Sequence, residues 1–213
     1  WLTERDRRAE RRRARQHFEA AVASGEASLD FLRRPLYPYQ QEGMLHLAFT
    51  GRAMLADDMG LGKTVQAIAA CELMQRQFGI RRVLVVAPAS LKAEWEEQIA
   101  AFTNRPVLRI HGPRAQRLRQ YARDAFFYLA NYEQIRPDLA ALNDTLVPDV
   151  VILDEAQRIK NWQTKTAAAV KRLQSPYAFV LTGTPVENRI DEIYSIAEFL
   201  EPQLFGPLFR FNR

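Results

Sequence analysis

Cysteine is nearly missing from this chain: Cys71 is the only one in 213 residues. An internal disulfide is therefore excluded, and a reducing, intracellular setting is expected. Within its apolar stretch Cys71 reads as a small buried hydrophobe on a helix rather than a reactive thiol. No run of about 18 apolar residues occurs, so no membrane-spanning helix is expected. The pattern of a secretory leader is missing as well. There is no internal repeat and no low-complexity tract. The first residue is Trp1 rather than Met, as expected for a piece of something larger. What is present is a chain with 47% hydrophobic residues, long enough to bury a core as one domain or at most two.

Charge is sparse in its net value and uneven in its placement. Of the formal net charge of +5, four belong to residues 1–15, where seven arginines outnumber Glu4, Asp6 and Glu10. The rest of the chain is close to neutral. Inside it lies a second local excess, Arg105, Arg109, Arg114, Arg117, Arg119 and Arg123, with no acid between them. Such a stripe either attracts phosphate backbones or is a solvated helix face.

Periodicity divides the chain near Pro35. The segment "TERDRRAERRRARQHFEAAVASGEAS" predicts a polar, Arg-rich helix that breaks between Ser24 and Ser28. With few apolar residues to bury, residues 1–34 read as a linker helix or a basic arm. From residue 35 to 213, short apolar runs alternate with helical patterns. The runs are "RAMLAD", "RVLVVAP", "PVLRIHG", "AFFYLAN", "PDVVILDEA" and "YAFVLTG". Between them lie "KTVQAIAACELMQRQF", "SLKAEWEEQIAAF" and "NRIDEIYSIAEFL", with apolar residues three and four apart. Nearly continuous apolar strands separated by helices predict an α/β fold, a parallel β-sheet covered by helices on both faces. The tail "LEPQLFGPLFRFNR" reads as irregular.

Ligands of such sheets bind at the carboxyl ends of the strands. "ADDMGLGKT" lies there, directly after "RAMLA" and opening a helix, which is the context a phosphate loop requires. Gly60 and Gly62 allow the backbone amides to converge on one point, and the helix N-terminus adds its positive dipole end. Lys63 is placed to reach the β- and γ-phosphates and the Thr64 hydroxyl to ligate Mg²⁺. Asp58, Met59 and Leu61 complete the loop. "VVILDEAQ" puts Asp154 and Glu155 at the end of another apolar strand. The first carboxylate suits Mg²⁺ held through water, and the second suits the orientation or deprotonation of an attacking water.

At this point the chain resembles a known family. "ADDMGLGKT", "DEAQRIKN" and "LTGTPVEN" are similar to motifs I, II and III of the Swi/Snf-type ATPases of helicase superfamily two, in a bacterial-style variant with DEAQ at motif II. "LYPYQQEGM", "LVVAPASLKAEWEEQI", "LANYEQI" and "IDEIYSIAEFLEP" extend the resemblance over Leu36 to Phe209. The family usually has Asp where the general phosphate-loop pattern has its first Gly, so Asp57 fits. Asp58 stands where Glu is commoner, and Gln157 where His is frequent.

The resemblance implies an N-terminal RecA-like lobe using ATP and Mg²⁺, with Gln40 on the adenine edge. Thr182 and Thr184, together with Gln157, would couple the γ-phosphate state to lobe movement. Nucleic-acid contacts would fall on Ser90, Lys92, Asn131, Tyr132, Lys160 and Asn161, whose polar groups suit phosphate oxygens. Trp95 and Trp162 either stack on bases or pack in the core, and their apolar neighbours favour the core. The implied partners are double-stranded DNA, a second RecA-like lobe of the same polypeptide and a DNA-bound protein complex as remodelling target. The implied location is the cytoplasm or nucleoid, without a membrane. Because the second lobe supplies arginines worth about 10³–10⁵ in kcat, this segment alone is expected to hydrolyse ATP poorly. An RNA helicase, a restriction-type translocase and a non-catalytic ATP-dependent switch are the alternatives.

Overall fold

The computed structural model describes residues 2–56, 60–156, 164–183 and 196–201. Each of the six apolar runs contributes a strand. These are β1 (Arg52–Leu55), β2 (Val83–Ala87), β3 (Val107–Arg109), β4 (Phe127–Asn131), β5 (Val150–Asp154) and β6 (Tyr177–Leu181). They form one sheet in the order β1-β6-β5-β2-β4-β3, with every pairing parallel. Val83 lies opposite both Phe127 and Val150, so β2 is the central partner of β4 and β5. The carboxyl ends of these three neighbours consequently adjoin.

The inner strands β2, β4, β5 and β6 are nearly continuously apolar because both faces are covered. Val83, Val85, Phe127, Leu129, Val150, Ile152, Phe179 and Leu181 belong to one core. Their alternates Leu84, Val86, Tyr128, Ala130, Val151, Leu153, Ala178 and Val180 belong to the other. The first core includes residues of α2 (Pro38–Thr50), α3 (Lys63–Phe78) and α4 (Lys92–Phe102). The second includes residues of α5 (Arg114–Tyr121), α6 (Tyr132–Ala141) and α7 (Lys165–Val170). The parallel sheet covered by helices on both faces, predicted from periodicity, is thus present.

β3 is shorter than its apolar run because it lies at the sheet edge, where Arg109 is exposed. α3 occupies the whole predicted segment. Gly79, in the left-handed region at φ 70°, ends it by donating its N–H to the Gln75 carbonyl.

The arginine-rich helix α1 (Leu2–Ser24) buries more than its polarity suggests. Ala14, Phe18 and Val22 recur every four residues and form a stripe against the first core. Phe18 is buried, 5.7 Å from the Phe49 ring of α2. Three arginines point the same way. Arg11 donates to the Thr50 carbonyl at 2.7 Å and lies over the Tyr177 ring. Arg15 pairs with Glu19 and Glu42, and Arg8 with Glu201. Arg12 and Arg13 remain exposed.

Candidate functional site

β1 delivers the chain to the loop that opens α3. Gly60 and Gly62 lie in the left-handed region at φ 85° and 69°, which a side chain makes costly. Gly62 has a second reason to be glycine: a Cβ there would fall 2.6 Å from the Gln40 amide nitrogen. It occupies the N-cap position of α3 without a side-chain bond, and Lys63 and Thr64 form the first turn. Backbone amides of that turn have no earlier carbonyl to bind within the helix, so they suit an anion. Asp58 and Met59 lie outside the described residues, whereas Leu61 is exposed.

Gln40 belongs to α2, in the third position after the N-cap residue Tyr37. Its carbonyl oxygen accepts the Tyr37 N–H at 3.1 Å, which fixes the side chain and leaves its amide nitrogen against Gly62. A cavity of about 500 Å³ adjoins this region, lined in part by Tyr39, His46, Leu55, Ala56, Leu61 and Gln66.

β5 ends at Asp154, the residue paired with Leu181 of β6. The Asp154 carboxylate is buried and accepts two hydrogen bonds. One comes from the Trp95 indole Nε1 at 2.8 Å and the other from the Glu155 backbone N–H at 2.9 Å. Burial raises its pKa above the ordinary value; the Trp95 hydrogen bond opposes the rise and the Glu155 charge adds to it. Glu155 itself sits at φ 51°, a conformation that costs a non-glycine residue energy and turns the chain sharply at the strand end. Neither motif spelling nor hydropathy announces that turn. Thr182 follows β6, is buried, and donates its backbone N–H to the Leu55 carbonyl at 3.2 Å. The start of the predicted coupling motif is thereby tied to the strand preceding the predicted phosphate loop. Gln157 and Thr184 lie outside the described residues.

The predicted nucleic-acid residues divide. Ser90 is exposed in a short 3₁₀ turn (Ala89–Leu91) after β2. Lys92 begins α4, and its ammonium donates to the Ile110 carbonyl at 2.6 Å and to the Asn131 side-chain oxygen at 3.4 Å. Burial lowers its pKa, and the nearby Arg109 and Arg117 charges lower it further. Asn131 ends β4 and caps α6. These three therefore gather at the adjoining carboxyl ends of β2 and β4, of which β2 lies beside β5. Lys160, Asn161 and Trp162 lie outside the described residues.

Tyr132 requires a correction. It is 2% exposed and donates its hydroxyl to the Asp154 carbonyl at 2.7 Å, so its ring faces the interior and not a nucleic acid. Trp95 is 1% exposed and packs in the core, as its neighbours predict. Its contact with Asp154 was not legible in the sequence, because the two residues meet only through the sheet.

The arginine stripe also changes meaning. Arg105 forms a two-pronged pair with Glu72, and Arg117 another with the fully buried Asp138. Arg114 lies 3.8 Å from the same aspartate and donates to the Pro137 carbonyl. Arg109 faces Glu96 at 3.4 Å. Acids absent from the local sequence arrive from other helices. Arg119 and Arg123 remain exposed.

Comparison with known proteins agrees with this geometry. The family model described as the SNF2-related domain matches residues 1–213. TATA-binding protein-associated factor MOT1 of Saccharomyces cerevisiae is 34% identical over 229 residues, covering 88% of this chain and 12% of its own length. The protein YwqA of Bacillus subtilis is 35% identical over 188 residues, covering 84% of this chain and 20% of its own. The chain thus spans a fifth or less of these relatives. The Sulfolobus solfataricus SWI2/SNF2 ATPase core, solved in complex with dsDNA, superposes with a TM-score of 0.79 at 34% identity, over 87% of this chain and 40% of that one. With a family match along its whole length and the same sheet beneath it, the chain belongs to the SNF2-related family and carries the fold of its ATPase core.

Proposed function

We propose that this chain is the nucleotide-binding lobe of an ATP-dependent motor that moves along double-stranded DNA and displaces or remodels protein bound there. The observation that carries this reading is that the loop opening α3, after β1, and Asp154 and Glu155, after β5, lie at the carboxyl ends of parallel strands separated by β6 alone. The donor set fits magnesium-bound ATP. Two glycines in the left-handed region, a lysine and a threonine in one helical turn, and a buried carboxylate are the groups that such a ligand requires. Lys63 would hold the β- and γ-phosphates. Thr64 and, through water, Asp154 would hold Mg²⁺, which when bound neutralises charge on the phosphates. Glu155 would orient or deprotonate the attacking water. Gln40, fixed by Tyr37 beside the loop, would reach the adenine edge, and loop residues Asp58, Met59 and Leu61 would complete the cradle.

Thr182, tied to Leu55, would pass the γ-phosphate state onward together with Thr184 and Gln157. Ser90, Lys92 and Asn131 would meet phosphate oxygens, joined by Lys160 and Asn161. The duplex DNA named for the Sulfolobus core supports duplex as the track. Since the chain matches 40% of that core, a second RecA-like lobe would complete the ATP site. The segment by itself would then bind ATP weakly and turn it over slowly. The domain reading is an arm over residues 1–34 and the lobe over 35–213, working in the cytoplasm or nucleoid.

The test is ATPase activity of the full-length parent with duplex DNA, single strands and RNA, beside a Glu155→Gln variant. Strong stimulation by duplex, abolished in the variant, is expected. Stimulation by RNA alone would replace the motor with a helicase, and no stimulation at all would leave a nucleotide-dependent switch.

A further inference from the structure

Asp154 is held by two aromatic side chains that ATP chemistry does not itself require. The Trp95 indole N–H reaches the carboxylate from α4 at 2.8 Å, and the Tyr132 hydroxyl reaches the Asp154 main-chain carbonyl from α6 at 2.7 Å. Both side chains are nearly fully buried, so their polar hydrogens must find a protein acceptor, and Asp154 is that acceptor. With the Glu155 N–H on the other oxygen, the indole fixes the plane of the carboxylate. A rigid ring gives that bond little freedom to wander, in contrast to a lysine or glutamine in its place.

The origin of the two helices matters as much as the bonds. α4 begins at Lys92, directly after the exposed turn containing Ser90, and Trp95 follows Lys92 by three residues. α6 begins at Tyr132, the residue after Asn131. Lys92 and Asn131 are themselves in contact. Both loops therefore lie one short, buried link away from the strand end that bears Asp154. A shift of either helix would therefore bear on Asp154 through a direct hydrogen bond.

We propose that Trp95 and Tyr132 are positioning residues of the ATP site, setting the orientation of Asp154 and linking it to the loops at Ser90–Lys92 and Asn131. The link to the loops rests on the motor reading above; the orientation of Asp154 rests only on its part in the nucleotide site. Trp95 acts on the carboxylate that would hold Mg²⁺, as outer-shell donors do at metal sites. Tyr132 acts on the backbone of the same residue, and so on the direction in which Glu155 leaves the strand.

The experiment uses the full-length parent with Trp95→Phe and Tyr132→Phe, each of which keeps an aromatic ring and removes the hydrogen-bond donor. Three quantities are read: the Mg²⁺ dependence of fluorescent ATP-analogue binding, kcat and KM with and without duplex, and the melting temperature. Trp95→Phe is expected to raise the Mg²⁺ concentration for half-maximal binding about tenfold. Tyr132→Phe is expected to cut the ratio of duplex-stimulated to basal kcat about threefold or more, with KM for ATP within about twofold. A lower melting temperature with the Mg²⁺ midpoint and the stimulation ratio unchanged would overturn the proposal and leave both residues as packing. If Trp95→Phe does not fold, Tyr132→Phe, which loses a single oxygen, decides the matter. If the wild-type parent shows no duplex stimulation, the motor reading fails and the loop link with it, while the Mg²⁺ midpoint still tests the orientation of Asp154.

Discussion

Glu72 illustrates how a single residue in this protein takes its meaning from a distant partner. It is a buried acid in α3, and the Arg105 guanidinium grips it with bonds of 2.7 and 3.0 Å while also donating to Gln75. The same guanidinium lies 4.9 Å from the centre of the Phe126 ring. Burial pushes the Glu72 pKa upward, but hydrogen bonds and charge from Arg105, then Arg76, outweigh it and leave the group below its ordinary 4.5. A folded-state pKa below the unfolded value means that the pair stabilises fully above the unfolded value and loses this effect as pH falls through the folded one. Arg105→Ala is expected to cost about 1–3 kcal/mol at neutral pH by leaving a buried charge poorly compensated. In urea titrations the gap between wild type and variant should narrow below about pH 4. A gap that stays constant down to acid pH would assign the loss to the Phe126 and Gln75 contacts alone.

At the scale of elements, α1 and the α3 opening behave oppositely. The α3 opening was legible as a turn and helix start because its chemistry is local: glycine, lysine and threonine at fixed spacing after an apolar strand specify both and suggest a phosphate ligand. α1 was legible as a helix but not as a docked one. Among the described residues its apolar stripe is Ala14, Phe18 and Val22, too thin beside seven arginines to signal burial by composition. What docks it is the Phe49 ring of α2, the acceptors Thr50 and Glu42 of the same helix, Glu201, and the Tyr177 ring. Phe18→Ala is expected to weaken this docking by about 3 kcal/mol. Limited proteolysis should then cut sooner between Ser24 and Ser28, while the sheet remains protected. Equal cutting rates would mean that the arginine contacts alone hold the helix.

For the whole molecule, the distribution of charge decides what the surface offers to a polyanion. The sequence presents two arginine-rich regions, but folding turns most of the described arginines in them inward or into pairs. Arg8, Arg11 and Arg15 serve the lobe, as do Arg105, Arg114 and Arg117. Arg12 and Arg13 on α1, and Arg119 and Arg123 near α5, stay exposed. Duplex binding by the full-length parent should therefore respond to Arg12→Gln/Arg13→Gln more than to the inward arginines. The slope of log K against log salt should flatten by about 0.9 for each of the two that meets a phosphate. An unchanged slope would give α1 a purely scaffolding role.

The sequence by itself determined the parallel sheet, because strands buried on both faces must be apolar at nearly every position and the helices between them must carry a stripe. It also determined the candidate nucleotide chemistry, because a phosphate loop and a strand-end acid pair are short-range patterns. Only the tertiary structure decided which arginines are available, that Tyr132 faces Asp154, and that Trp95 lends its N–H to the same residue. Those contacts join residues 22 and 59 positions apart in the chain. They exist because the sheet order sets β5 beside β2 and β2 beside β4, and no local spacing encodes that order.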